Sequence, residues 1–108
     1  MKFTLLIATL DRYELLKKCV DSLLRGSYPD FEIIIVDQTD VEKQSELSLP
    51  NDNRIKYIHI DTKGLSQARN VGISISTGDY ICLIDDDGKY EKDYLEKAKK
   101  IIENQAPV

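Results

Sequence analysis

Three consecutive carboxylates, Asp85, Asp86 and Asp87, follow an apolar run and precede Gly88. Carboxylates packed this closely repel one another, and a cation among them removes that cost. Successive residues leaving an extended strand point to alternate sides, so Asp85 and Asp87 are expected on one side and Asp86 on the other. A D-x-D spacing then offers two hard oxygen ligands to one Mg²⁺ or Mn²⁺, with the remaining positions left to water and substrate phosphate. The plain alternative is an acidic turn that stays in water and leads into the next helix.

A second group of residues points the same way. Gly64 permits an unusual backbone turn, and the residues after it open a helix whose free amides attract anions. Arg69 lies in the first turns of that helix, within reach of the acidic edge, as a contact for a phosphate or nucleotide. Asn70 is placed to brace the loop through its amide. Taken singly, Arg69 reads as a surface ion-pair residue and Asn70 as a turn stabiliser; beside the carboxylates they suggest metal-assisted diphosphate binding. His59, the only histidine, sits between Ile58 and Ile60 and reads as a half-exposed strand residue with no assigned function. Cys19 and Cys82 lie in apolar patterns without ligand spacing, as small buried hydrophobes in a reducing compartment.

These side chains need a scaffold that brings them to one edge. Four short apolar runs, FTLLIAT, FEIIIV, IKYIHI and DYICLI, lack sustained polar alternation, as expected of parallel strands buried on both faces. Between the first two, Asp11 and Glu14 form a capping-box pattern, and Leu15, Leu16, Cys19, Val20, Leu23 and Leu24 repeat at helical spacing up to Gly26 and Pro29. A second helical face, Ala68, Val71, Gly72 and Ile75, opens at Gly64 and Ser66 and closes at Gly78. A third combines Tyr94, Leu95, Ala98, Ile101 and Ile102 with a solvated Lys- and Glu-rich side. The polar segment Val41–Asn53 is a loop with one helical turn. The order β-α-β-loop-β-α-β-α demands right-handed crossovers and an open, mostly parallel α/β sheet of about four strands with helices on both faces. Ligands of such sheets bind beyond the carboxyl ends of the strands. The first strand runs there into Thr9, Asp11 and Arg12, the second into Asp37, Gln38, Thr39 and Asp40, and the fourth into the acidic triplet.

The 108 residues are 42% hydrophobic and 31% charged, which is one ordinary domain spanning 1–108, without repeat or linker. A net charge of −4 argues against a nucleic-acid binder, so any phosphate must be met by a metal or a local cluster of donors. The apolar runs are far short of the roughly 20 residues that cross a bilayer. The start, Met1–Ala8, has a faint signal-peptide look that stops at Asp11-Arg12 without a clear cleavage site, which favours a cytoplasmic location, at the cytoplasmic face of a membrane if a full-length protein is anchored there.

With these residues placed, the chain resembles the nucleotide-binding half of a family 2 glycosyltransferase of the GT-A fold, a three-layer Rossmann-like arrangement. The segments that carry the likeness are TLLIATLDRYELLKKCVDSLL, DFEIIIVDQTD and GLSQARNVGISISTGDYICLIDDD; the third couples A-R-N, G-D-Y and D-x-D at the family's spacing. The resemblance implies a hexosyl transferase with a nucleotide-diphosphate sugar donor, a UDP-sugar above all, and Mn²⁺ or Mg²⁺ bridging the diphosphate to the aspartates. By position it implies that Thr9 lines the base pocket, that Asp37 contacts uracil or ribose, and that Arg69 lies near the nucleotide. Asp85 falls where the first motif aspartate meets the ribose or the metal shell, Asp87 falls on the metal ligand, and Asp86 holds the variable middle position, assisting without binding directly. Two positions depart from the pattern. Gln38 stands where a second Asp is common, in a shorter segment, which implies a differently shaped base pocket, and Gly88 where a fourth acidic residue is common, which implies a weaker metal site.

The family's inverting displacement uses a carboxylate base located after the D-x-D strand, and only Lys89–Val108 follow it here. Glu91 and Asp93 read as first-turn residues favoured by the helix dipole. The expectation is therefore a donor-binding portion without its acceptor half and general base, poor at transfer alone. Two other classes compete: a non-catalytic interaction module that keeps the fold, and a haloacid-dehalogenase-type phosphatase whose D-x-D-G loop IDDDG resembles. That loop follows a first strand and needs downstream partners for which this chain has no room. An EF-hand calcium loop fails on spacing, since Leu83 and Tyr94 would fall at its first and last ligand positions.

Overall fold

The structure, a computed structural model, describes residues 1–105; residues 106–108, the end of the expected tail, lie outside the described part. Strands β1 (Phe3–Thr9), β2 (Phe31–Asp37), β3 (Ile55–His59) and β4 (Tyr80–Ile84) alternate with helices α1 (Tyr13–Leu24), α2 (Leu65–Ile75) and α3 (Tyr94–Asn104). A 3₁₀ stretch, Val41–Glu46, is the helical turn expected in the polar loop. All four strands are parallel, in the order β3-β2-β1-β4.

This order decides which runs are buried. The central strands β1 and β2 are covered on both faces, with Phe3, Leu5, Ile7, Ile33, Ile34, Ile35 and Val36 all sealed from water. The edge strands are not: Tyr57 of β3 and Ile81 and Leu83 of β4 are exposed. Burial on both faces, expected of all four runs, thus holds for the central pair, because an edge strand has a neighbour on one side only.

Alternation along the strands sends side chains to two cores. On one face Leu16, Cys19, Val20 and Leu23 of α1 and Leu95 of α3 pack with Phe3, Leu5, Ile7, Ile33 and Ile35. On the other, Ala68 of α2 packs with Leu6, Ile34 and Val36. Helix α2 sits close to the sheet because position 72 is glycine; a Cβ there would lie 2.1 Å from Leu6 Cδ1. Helix α3 presents Leu95, Ala98 and Ile102 inward, while Ile101 of the expected apolar face is 59% exposed.

Two helix ends differ from expectation. The capping box of Asp11 and Glu14 does not form: α1 begins after Arg12 with no side-chain cap. Asp11 instead takes a left-handed conformation (φ 56°), which Asp tolerates better than most residues, and its amide donates to Thr39 Oγ1 (2.8 Å). The sharp exit from β1 takes Asp11 out of the capping geometry. Helix α2 stops at Ile75, ahead of Gly78.

Candidate functional site

Chain connections leave β1 toward β2 on one side of the sheet, whereas β4 is reached from the opposite side, so the loops beyond β1 and β4 diverge and open a crevice. A cleft of about 410 Å³ lies there, lined by Thr9, Arg12, Gln38, Gly64, Leu65, Arg69, Asp85 and Asp86 among others. Four of the residues singled out from the sequence, Thr9, Arg69, Asp85 and Asp86, therefore meet in one place, brought from β1, α2 and the end of β4. Asn70 is exposed on α2, and Asp37 and Asp87 are not in the lining. A larger groove of about 700 Å³, lined by Asp11, Arg12, Tyr13, Thr39 and Lys43 among others, adjoins the cleft at Arg12 but contains neither Arg69 nor the acidic turn.

The acidic triplet does not continue the strand. The Gly88 amide donates to the Asp85 carbonyl (3.0 Å), closing a turn, and strand alternation no longer applies. The middle carboxylate, expected to face away, lines the cleft together with Asp85, whereas Asp87 does not: the Asp86 side chain is 13% exposed and that of Asp87 55%. Thr9 Oγ1 donates to Asp86 Oδ2 (3.0 Å), and the Arg12 guanidinium lies 3.4 Å from Asp86 and 3.7 Å from Asp87. Arg12, which the sequence reading left without a role, thus offsets part of the charge of the turn. The Cys19 thiol donates to the Asp85 carbonyl (3.4 Å); burial, then the carboxylates of the turn, push it up to about 12, so it stays a neutral buried group as expected.

Asp37 ends β2 fully buried. Its Oδ2 accepts from the hydroxyls of Tyr13 (2.6 Å) and Tyr57 (2.7 Å), and its Oδ1 accepts the Thr39 amide (3.0 Å). Burial and the bond to Asp37 raise both phenols, Tyr57 to about 12 and Tyr13 further. Both oxygens of Asp37 are thus engaged on the side away from the cleft. The β2-end residue that reaches the cleft is its neighbour Gln38, whose Nε2 donates to the carbonyls of Thr62 and Gly64 (2.9 Å each). With both amide hydrogens used, Gln38 has its carbonyl oxygen left to offer. Period-two alternation at the strand end was the available signal, since adjacent residues face opposite sides. His59 is half-buried at the end of β3, where its Nε2 donates to the Thr39 carbonyl (2.7 Å).

Among the described residues no three His, Cys, Asp or Glu side chains gather into a self-sufficient metal cage. Carboxylates on a turn beside an open cleft fit a different arrangement. Mg²⁺ and its kin are held by one or two carboxylates while water and substrate phosphates complete the shell. Nor is any described helix long and apolar enough to cross a membrane.

A parallel sheet covered by helices on both faces, with an arginine and an acidic turn converging at its crevice, is a Rossmann-like unit of the GT-A type. The chain belongs to glycosyltransferase family 2, whose model, Glycosyl transferase family 2, matches residues 4–108. Among curated relatives, Glycosyltransferase GlyA of Streptococcus pneumoniae is 34% identical over 111 residues, covering 99% of this chain and 16% of that protein. The amylovoran biosynthesis glycosyltransferase AmsB of Erwinia amylovora is 31% identical, covering 95% of this chain and 36% of its own length. This chain thus spans well under half of these relatives. Among solved structures, S. aureus TarS 1–349 in complex with UDP-GlcNAc superposes with a TM-score of 0.78 at 22% identity, covering 96% of this chain and 32% of that one. The mannosyltransferase PcManGT of Pyrobaculum calidifontis, in complex with GDP-Man and Mn²⁺, gives 0.75 at 19% identity over 92% and 31%. These two share the fold.

Proposed function

We propose that the chain is the donor-binding portion of an inverting hexosyltransferase, holding a nucleotide-diphosphate sugar, of the UDP type, with Mn²⁺ or Mg²⁺. The observation that carries this reading is the convergence of Thr9, Arg69, Asp85 and Asp86 on one cleft at the crevice of the sheet. Arg69 pairs with phosphate oxygens, assisted by the amides at the start of α2, where Gly64 and Leu65 also line the cleft. Thr9 lines the base and ribose side, and the Gln38 carbonyl oxygen accepts a base N–H. Asp37, expected to touch uracil or ribose, serves that pocket from behind by fixing Tyr13, Tyr57 and Thr39.

By the motif spacing, Asp85 at the cleft and the solvent-exposed Asp87 beside it would hold the metal, and Asp86 would orient the ribose while bonded to Thr9. When bound, the ion supplies charge neutralisation for the leaving diphosphate. The complexes of TarS with UDP-GlcNAc and of PcManGT with GDP-Man and Mn²⁺ support a nucleotide-sugar donor and a divalent ion. The acceptor is unknown. Glu91 and Asp93, the carboxylates nearest after the turn, pair with Lys97 (3.7 and 3.4 Å) at the start of α3, as helix-start residues do, so the general base is assigned to a part of the relatives' length that this chain does not span. The family match leaves the phosphatase reading without support.

Replacing Asp87 with Ala is expected to abolish the Mn²⁺-dependent part of UDP binding, read by calorimetry, and to leave the melting temperature unchanged, since the side chain is exposed. Unaltered Mn²⁺-dependent binding in D87A contradicts the metal assignment.

A further inference from the structure

Tyr90 lies between the acidic turn and α3, and the donor-site reading makes no use of it. Its hydroxyl oxygen accepts the amide N–H of Asp85 (3.2 Å), its own amide donates to Ser22 Oγ (3.1 Å), and its ring packs edge-on against Tyr94 with centroids 4.8 Å apart. Ser22 Oγ in turn donates to the Cys19 carbonyl (2.7 Å), and the Cys19 thiol donates to the Asp85 carbonyl. Both backbone polar groups of Asp85 are therefore tied to α1, the carbonyl through Cys19 and the amide through Tyr90. The ring reaches this position because residue 88 is glycine. A Cβ there would lie 2.7 Å from Tyr90 Cε2 and 2.9 Å from its hydroxyl oxygen. The ring is held on its other side by Tyr94 and by the core beneath it, so it has little room to yield. The departure from the family pattern at Gly88 thus acquires a physical reason.

We propose that Tyr90 is a positioning residue for the acidic turn: its hydroxyl fixes the backbone of Asp85, and with it the direction of the carboxylates that meet the metal and diphosphate, while Gly88 is the gap that admits the ring. This rests on the donor-site reading above. The side chain touches no ligand in this scheme. It acts through Asp85, and its effect is confined to interactions the turn makes.

The test titrates UDP into the 108-residue chain and its variants in Mn²⁺ and again in EDTA, with melting temperatures alongside. Tyr90→Phe, which keeps the ring and removes one hydrogen bond, is expected to weaken Mn²⁺-dependent binding about fivefold while leaving the EDTA value and the melting temperature unchanged. Gly88→Ala, which displaces the ring, weakens it in the same sense. Because both act through one contact, the double variant is no weaker than G88A alone. Wild-type Mn²⁺-dependent affinity in Y90F overturns the assignment; so does an equal loss in Mn²⁺ and in EDTA, which marks general loosening, or full additivity in the double variant. If Y90F melts below the assay temperature, G88A decides by the same two titrations. A wild-type chain that binds no UDP in Mn²⁺ overturns the donor-site reading, and this assignment falls with it.

Discussion

Asp86 and Asp87 are the same residue type one position apart, yet one lines the cleft under Thr9 and Arg12 while the other stands in solvent. The sequence makes both visible as acidic ligands but gives their orientations only if the chain stays extended, and the turn closed by Gly88 removes that condition. The same limit separates Asp37 from Gln38: the carboxylate is the more conspicuous residue, but its partners Tyr13 and Tyr57 arrive from distant segments and draw it away from the cleft. Arg69 was legible because a helix start beside a glycine already places it at the ligand edge. Its removal gives a direct check on the phosphate contact. Arg69→Ala is expected to lower UDP affinity about tenfold, the loss of a hydrogen bond between charged groups, with Arg69→Lys recovering only part of it because an ammonium lacks the planar fork. Titration of both variants reads this, and an R69A affinity equal to wild type contradicts the contact.

At the scale of elements, the end of the sheet opposite the cleft is closed by one buried carboxylate. Glu32, at the start of β2, accepts from Thr4 Oγ1 (2.6 Å), the Thr77 amide (2.6 Å), Thr77 Oγ1 (2.9 Å) and Lys56 Nζ (2.7 Å). Residues of β1, β2, β3 and the α2–β4 connection are tied to it. Burial pushes this carboxyl up, but the bonds from Lys56, Thr4 and Thr77 together outweigh burial and hold it at about 2. Since an unfolded Glu titrates near about 4.3, the contribution is fully present above that value and is lost as pH falls from there toward 2. Glu32→Gln is expected to cost about 1–3 kcal/mol at pH 7, because an amide replaces the acceptor oxygen that two donors share. Urea unfolding at pH 7 and at pH 3 measures both effects: the wild-type midpoint falls on acidification by more than that of E32Q, and equal falls contradict the role. None of this was legible in the sequence, where Glu32 is one polar residue inside the apolar run FEIIIV. The strands and helices themselves were legible, as apolar runs and 3.6-residue spacing report burial directly. The exposed faces of β3 and β4 were not, because strand order is a long-range property that local pattern does not carry.

For the whole molecule, the alternation of strands and helices in sequence was enough to give a parallel sheet and to point to its carboxyl edge, where a cleft lies, and the observed order β3-β2-β1-β4 locates the crevice between β1 and β4. For a chain of net charge −4 to receive a diphosphate, as proposed, local positive charge is needed; Arg12 and Arg69 line the cleft, and the proposed divalent ion would add to them. The fold is shared with solved structures of which this chain covers about a third, and on the proposed reading donor capture is the part to be tested on this chain. The most direct test is a calorimetric titration of UDP into the 108-residue protein, first with Mn²⁺ and then with EDTA. The account predicts saturable binding in Mn²⁺ that EDTA weakens strongly. Absence of binding in both conditions, or identical binding in both, would contradict it.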